Sequence, residues 1–208
     1  PIWNPSVRDS KESVEARREE KRAARRTYKT IRNAISPEDK AGFDGFILRQ
    51  LLDSVSYRYS GKILAYASIG SEVDTVQFCK KALADGRELY LPKSYPGGIM
   101  RFFAVNSMEE LHEGAFGVAE PEERDEYAPS AGKADLCIVP GVCFDVYGYR
   151  VGYGKGYYDR FLAKFTGVSV GLAYEDCFCR EKLPYEKRYD KPVDFVVTEK
   201  GMYSRVCP

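Results

Sequence analysis

The sequence predicts an α/β fold, and three observations carry that expectation. The first half alternates helical and strand patterns in the order helix, helix, strand, helix, strand, the pattern of a sheet covered by helices. Short apolar runs at 62–67, 135–139, 168–173 and 193–198 read as buried strands. Residues 135–165 pass from one such strand through a glycine-rich loop into a helical pattern. At 208 residues the chain fits a single domain, 1–208, with room for a substantial core. Residues 1–9 are expected to form a flexible tail.

Ser10 is placed to cap a long helix running to about Ala34. Its cations Arg18, Arg22, Arg25, Lys29 and Arg32 recur at spacings of four, three, four and three, so they share one face. Ala24, Tyr28, Ile31 and Ile35 make an apolar seam on another. Taken alone, the cationic stripe reads best as a solvated face balanced by Glu15, Glu19 and Glu20. The alternative is that one or two of these cations reach an anionic ligand. Ser36-Pro37-Glu38-Asp39 starts a second helix, with a cap, a proline in the first turn and acids after it. Phe43, Phe46, Ile47 and Leu51 carry its repeat to about Ser54.

The strand at 62–67 comes next, then a helix over 75–84 that Asp74 caps and Gly86 ends. Residues 88–91 form a strand that Pro92 is expected to close. Pro96-Gly97-Gly98 is a turn, 100–105 a strand, 108–111 a short helical turn, and 114–133 a loop. The strand at 135–139 leads into the glycine loop, a helix over 157–165 and a strand over 168–173. A polar irregular stretch at 183–192 precedes the last strand, 193–198.

Composition excludes several classes of function. A net charge of +1 does not fit a protein built mainly to hold nucleic acid. No apolar stretch is long enough to span a bilayer. Cys177-Phe178-Cys179 is too tight for a zinc pair, and the single His112 is far from any cysteine. No signal-peptide pattern is present, so the six thiols are expected to be reduced and mostly buried in a cytoplasmic protein. The 16 tyrosines suit pockets that stack a flat ring and donate a hydrogen bond to it.

The chemistry concentrates at 139–162, where four glycines fall within nine residues, 148–156. Strand, glycine loop and helix in that order present backbone N–H groups to a phosphate. The loop is not a Walker loop, because Gly156 follows Lys155, and Gly152, Gly154 and Gly156 do not have dinucleotide spacing. Alternate glycines let the main chain approach a ligand closely. Lys155 adds a cation for phosphate oxygens. Asp159 stands about one helical turn after Gly156. It reads equally as a magnesium ligand and as an acid favoured in a helix's first turn.

Val-Pro-Gly-Val-Cys-Phe-Asp at 139–145, with Gly-Tyr-Arg-Val-Gly-Tyr-Gly-Lys-Gly-Tyr-Tyr-Asp at 148–159, closely resembles the signature of the 5-formyltetrahydrofolate cyclo-ligases, or 5,10-methenyltetrahydrofolate synthetases. Lys21-Arg22-Ala23-Ala24-Arg25, the segment Ser68 to Thr75, Leu91-Pro92-Lys93, Glu120-Pro121 and Asp190-Lys191-Pro192-Val193-Asp194 follow in the family's order. The resemblance covers about residues 20–199. It implies a three-layer α/β/α architecture with a mostly parallel central sheet, like the NagB/RpiA/CoA-transferase-like fold. It also implies ATP- and Mg2+-dependent closure of 5-formyltetrahydrofolate to 5,10-methenyltetrahydrofolate, with release of ADP and phosphate. A cytoplasmic monomer without nucleic-acid or membrane partners is expected.

Carried over position by position, the resemblance implies ATP contacts from Lys21, Arg22, Arg25, Arg150, Gly152, Tyr153, Gly154, Lys155, Gly156, Tyr157 and Tyr158. Lys155 and Arg150 would be catalytic, and Asp159 and Asp190 would hold magnesium. Ala67, Glu72, Tyr153 and Phe144 would border the folate, with Glu72 on the pterin N–H donors. A core role suits Phe144 at least as well. Glu120 is a further polar candidate, or only the end of a surface turn. Tyr189 stands just before Asp190, where the family often has histidine; the departure bears on a role for that histidine and not on the metal ligand. The rival reading is a non-catalytic nucleotide- or folate-binding protein, and intact Glu72, Lys155, Asp159 and Asp190 count against it.

Overall fold

A computed structural model describes residues 11–114 and 117–207. The expected tail and the Ser10 cap lie outside the described residues. Helix α1 (Lys11–Asn33) is followed by α2 (Pro37–Asp53). Ser36 caps α2 as its sequence predicts, its hydroxyl accepting the Asp39 N–H at 3.1 Å. Ser54 ends α2 and caps the short α3 (Val55–Tyr59), accepting the Tyr57 N–H at 3.1 Å. Strand β1 (Ile63–Leu64) leads to α4 (Val76–Ala84), whose first N–H is taken by Asp74 Oδ1 at 2.8 Å.

The remaining elements are β2 (Leu89–Tyr95), β3 (Ile99–Val105), β4 (His112–Glu113), β5 (Ala119–Glu120), β6 (Leu136–Val139), β7 (Cys143–Asp145) and β8 (Arg150–Val151). Then come α5 (Tyr157–Leu162), β9 (Val168–Leu172), β10 (Phe178–Cys179), β11 (Phe195–Thr198) and β12 (Gly201–Ser204). The main sheet has the order β12-β11-β9-β6-β1-β2-β3. From β11 to β2 all pairs are parallel, and antiparallel β12 and β3 flank them. A second sheet, β10-β7-β8, is built from the segment around the glycine loop.

Side-chain alternation divides the core. Ile63, Leu136, Ile138, Val170 and Val197 share one cluster with Ile47 and Leu51 of α2 and Phe78 and Ala82 of α4. Leu64, Cys137, Val139 and Val196 join the other, with Ala24, Tyr28 and Ile31 of α1, Phe161 of α5 and the small sheet. Period-two strands buried on both faces thus give the three-layer arrangement. Each fully buried aliphatic side chain contributes about 1.5–3 kcal/mol. All six cysteines are free, and only Cys207 is exposed.

Several sequence expectations are corrected. Pro92 does not close its strand, and β2 continues to Tyr95. Ala65 N–H donates to Tyr90 O, so Pro92, two residues on, turns its nitrogen to the same side, past the end of β1. On its other side Phe102 points its own carbonyl away, to Tyr127 N–H. No ladder bond is therefore lost at the proline. The run at 62–67 is ladder-paired only as β1, although 63–67 are all buried. The expected loop at 114–133 contains β5, paired with β4. Helix α5 stops at Leu162, short of Phe165. The strands β7, β8, β10 and β12 were not expected.

Asp135 ties the loop ahead of β6 to the start of β1. Its carboxylate accepts Lys62 N–H at 2.8 Å, Ser130 N–H at 2.9 Å and Tyr127 O–H at 2.7 Å. Burial opposes ionisation, but hydrogen bonds from Ser130, Tyr127 and Lys62 outweigh it and hold the carboxyl below the usual aspartate range. A lowered folded-state pKa contributes stability above the unfolded value, and the contribution disappears as pH falls through the folded value. Asp135→Asn is expected to cost about 2 kcal/mol at pH 7 and less at pH 3. Urea unfolding at the two pH values checks this, and an equal loss at both would contradict it.

Candidate active site

The glycine loop hangs on a hairpin. Beyond Pro140-Gly141 the chain forms β7, turns at Asp145, and returns as β8. Asp145, fully buried, accepts Tyr147 and Tyr149 N–H at 2.9 Å each through Oδ1, and Leu183 N–H at 2.9 Å through Oδ2. Gly148 has φ +81° and accepts Val193 N–H at 2.9 Å. A Cβ there would lie 2.3 Å from Val193 O. Both the backbone angle and this close crossing require glycine. The polar stretch before β11 is thereby pinned across the hairpin.

That crossing assembles a cluster of charges. Arg150, its side chain 5% exposed, donates to Lys191 O at 2.7 Å and to Asp159 Oδ1 at 2.9 Å. The same Asp159 oxygen accepts Lys191 N–H at 3.1 Å. Asp190 Oδ2 accepts Lys21 Nζ at 2.5 Å and Glu186 N–H at 2.6 Å. Arg25, one turn along α1 from Lys21, donates Nε to Gly152 O at 2.7 Å. Gly154 (φ +93°) and Gly156 (φ +69°) carry the loop in left-handed conformations, with Lys155 exposed between them. Arg160 reaches back to Lys155 O at 2.9 Å.

A small cavity lies beside Arg32 and Glu72, the two hydrogen-bond partners of the Tyr153 hydroxyl. Arg32, Tyr66, Glu72, Gly141, Ala173 and Cys177 line it. Glu72, buried, is folded back over its own turn and accepts Ile69 N–H through Oε2 at 3.0 Å. Its Oε1 accepts the Tyr153 O–H at 2.5 Å. Tyr174, held at 2.7 Å by Asp44, supports this turn through Glu72 O at 3.3 Å. Burial, with the Glu72 carboxylate, pushes the Tyr153 hydroxyl up to about 12, so it stays a proton donor at neutral pH. Tyr158 buries a hydroxyl that has no hydrogen-bond partner among the described residues, its ring edge-on to Phe102.

Residues 17–199 match the 5-formyltetrahydrofolate cyclo-ligase family. The chain belongs to that family. It is therefore an enzyme, a folate-metabolising ligase acting on 5-formyltetrahydrofolate. It is 28% identical over 191 residues to the 5-formyltetrahydrofolate cyclo-ligase of Mus musculus, covering 86% of this chain and 93% of the relative. The solved 5,10-methenyltetrahydrofolate synthetase of Aquifex aeolicus superimposes with TM-score 0.78 at 34% identity, over 90% of this chain and 94% of that one. The Mycoplasma pneumoniae synthetase shares the fold, with TM-score 0.67 at 23% identity over 86% of this chain and 98% of that one.

Within this cyclo-ligase fold, Lys21, Arg25, Arg150, Gly152, Asp159 and Asp190 come together, and Glu72 meets Tyr153. Arg22 does not join them. It is half exposed and paired with Glu19 at 3.0 Å and Glu15 at 3.5 Å, on the solvent side of α1. Phe144 has no exposed surface; its ring fills the space left by Gly141 and Gly171, so it is a core residue. Ala67 is buried just beyond β1. Tyr157 lines a groove between α5 and β3, its hydroxyl 3.4 Å from Tyr95 O. Glu120 is buried and structural, accepting Ser94 N–H at 3.0 Å. Arg32 and Tyr66 were not expected at a site. For Arg32 the signal was present in its place on the cationic stripe, but the stripe alone did not say which members turn inward.

Among the described residues, no group of three or more His, Cys, Asp and Glu side chains is arranged to hold a metal by itself. Likewise, no described helix is long and apolar enough to cross a membrane. Gly148→Ala is expected to cost about 2 kcal/mol or more, from the positive φ and the Val193 contact. A lowered urea midpoint at unchanged slope would show it; an unchanged midpoint would mean that the crossing tolerates a side chain.

Proposed function

We propose that this enzyme closes 5-formyltetrahydrofolate to 5,10-methenyltetrahydrofolate with ATP and Mg2+, releasing ADP and phosphate. One observation carries the reading. Successive loop residues hold the two halves of the site: Gly152 is bound by Arg25, and Tyr153 by Glu72. Two residues span at most about 7 Å of chain. Such proximity suits a reaction in which a phosphoryl group must reach an atom of the folate ring system.

On this reading Glu72 accepts N–H donors of the pterin ring. Lys21, Arg25 and Lys155 offset charge on the phosphates, and loop N–H groups approach where Gly152, Gly154 and Gly156 expose the backbone. The formyl oxygen is phosphorylated, nitrogen 10 attacks the activated carbon, and phosphate leaves with the former formyl oxygen. Arg150 is nearly buried and satisfied by Lys191 O and Asp159, so it positions Asp159 rather than meeting substrate.

Asp159 and Asp190 fit magnesium in their donor chemistry. Each is a hard oxygen donor, and each ion pair described above engages one oxygen. A carboxylate has about four acceptor positions, so the rest of its capacity is compatible with a cation whose other ligands are phosphate oxygens and water. Bound there, magnesium would neutralise phosphate charge and orient the transferred group.

The absorbance of the methenyl product is expected to appear only when 5-formyltetrahydrofolate, ATP and magnesium are all present. Both ligands binding without product would leave only a binding protein. Lys155→Ala is expected to lower kcat about 100-fold with the unfolding transition unchanged. A lowered unfolding midpoint with kcat of the folded enzyme unchanged would make Lys155 structural. Asp159→Asn is expected to move the magnesium titration to higher concentration; an unmoved titration would take Asp159 out of the metal site.

A further inference from the structure

We propose that Arg32 is a positioning residue of the folate pocket, acting through Tyr153 on the Glu72 carboxylate. The proposal rests on the reading of Glu72 as the acceptor for the pterin ring.

Arg32 is 7% exposed and its guanidinium bonds three separate segments. Nε donates to Ser71 Oγ at 3.1 Å, Nη1 to Gly141 O at 3.2 Å, and Nη2 to the Tyr153 hydroxyl at 3.0 Å. Ser71 in turn donates to Asn33 Oδ1 at 2.5 Å, which keeps the end of α1 against the Glu72 turn. A guanidinium has five N–H donors and no acceptor. The Tyr153 oxygen must therefore accept from Arg32, and its own proton is aimed elsewhere. Glu72 Oε1, at 2.5 Å, is where it goes. That distance belongs to a charge-assisted O–H···O⁻ bond, stronger than a neutral one.

The outcome is a carboxylate with one protein donor on each oxygen, Tyr153 on Oε1 and Ile69 N–H on Oε2. One acceptor position per oxygen remains by the same count. Two such positions side by side match two adjacent N–H donors on a flat ring, such as the amino and ring N–H of a pterin. Without Arg32 the Tyr153 oxygen loses the donor that holds it in place over Glu72. Tyr153 is itself 42% exposed and lies between two glycines, so the loop alone does little to hold it. Lys29 above its ring, at 5.1 Å, adds only a weaker cation–π contact. Lys21, at the nucleotide end, lies about 16 Å up the same helix axis.

The test is steady-state kinetics of the full chain with each substrate varied in turn. Arg32→Met and Tyr153→Phe should each raise KM for 5-formyltetrahydrofolate about tenfold, with KM for ATP within about twofold of wild type. The double variant should resemble either single one, because both cut the same chain of bonds. Additive losses, or a parallel rise in KM for ATP, would overturn the assignment. If Arg32→Met does not fold, Tyr153→Phe decides alone, and an unmoved folate KM overturns it. Absence of turnover in the wild type would remove the underlying reading, whereas normal turnover with unmoved variants removes only the role of Arg32.

Discussion

The ion pair between Lys21 and Asp190 joins residues 169 apart in the chain and closes the site. Its side chains are 21% and 15% exposed, so it is largely withdrawn from water without being isolated from it. The pair needs α1 fixed over the small sheet, and it needs the polar stretch before β11 fixed across the hairpin. Ala24, Tyr28 and Ile31 supply the first by packing into the second core cluster. Gly148 and Arg150 supply the second through Val193 and Lys191. A cation and an anion delivered by different elements meet only if both supports hold, so the pair couples packing to site geometry.

The same pattern recurs around the loop. Cations and carboxylates are matched within the protein: Arg150 with Asp159, Lys21 with Asp190, Arg32 close to Glu72 through Tyr153. Partly buried charges cost less when paired than when one is left alone. The arrangement leaves none of these partly buried charges alone, and each pair also ties one element of the fold to another. Arg25 adds a direct hold on the loop backbone at Gly152, which limits how far the glycines can wander.

Much of this was legible in the sequence, for reasons that differ by element. The cap at Ser36 is local chemistry and needed nothing else. The strands around β6 and β9 are buried on both faces and so read as apolar runs. By contrast β7, β8 and β10 are two or three residues long, too short for any period to show. Pro92 was misread because its tolerance depends on where β1 ends, a fact about a neighbouring strand. Helical spacing said which cations share a face, but not that Arg22 would find Glu15 and Glu19 while Arg32 turned inward. Phe144 sits within the signature segment yet belongs to the core, because two glycines distant from each other, Gly141 and Gly171, leave room for its ring.

The placement of α1 has a consequence for the order in which the protein is completed. The helix is synthesised first among the described elements, yet it packs chiefly on β8 and the turn Glu175–Cys177, which are made in the last third of the chain. It is strongly polar, so little holds it to a partial chain. A nascent polypeptide stalled before residue 139 would offer the basic helix its contacts at Ser71 but neither β8 nor the Glu175–Cys177 turn. Full docking of α1 becomes possible only after Cys177 is made, and the ion pair to Asp190 only once that residue follows. The arrangement makes the assembled cluster a property of residues 21–190 taken together.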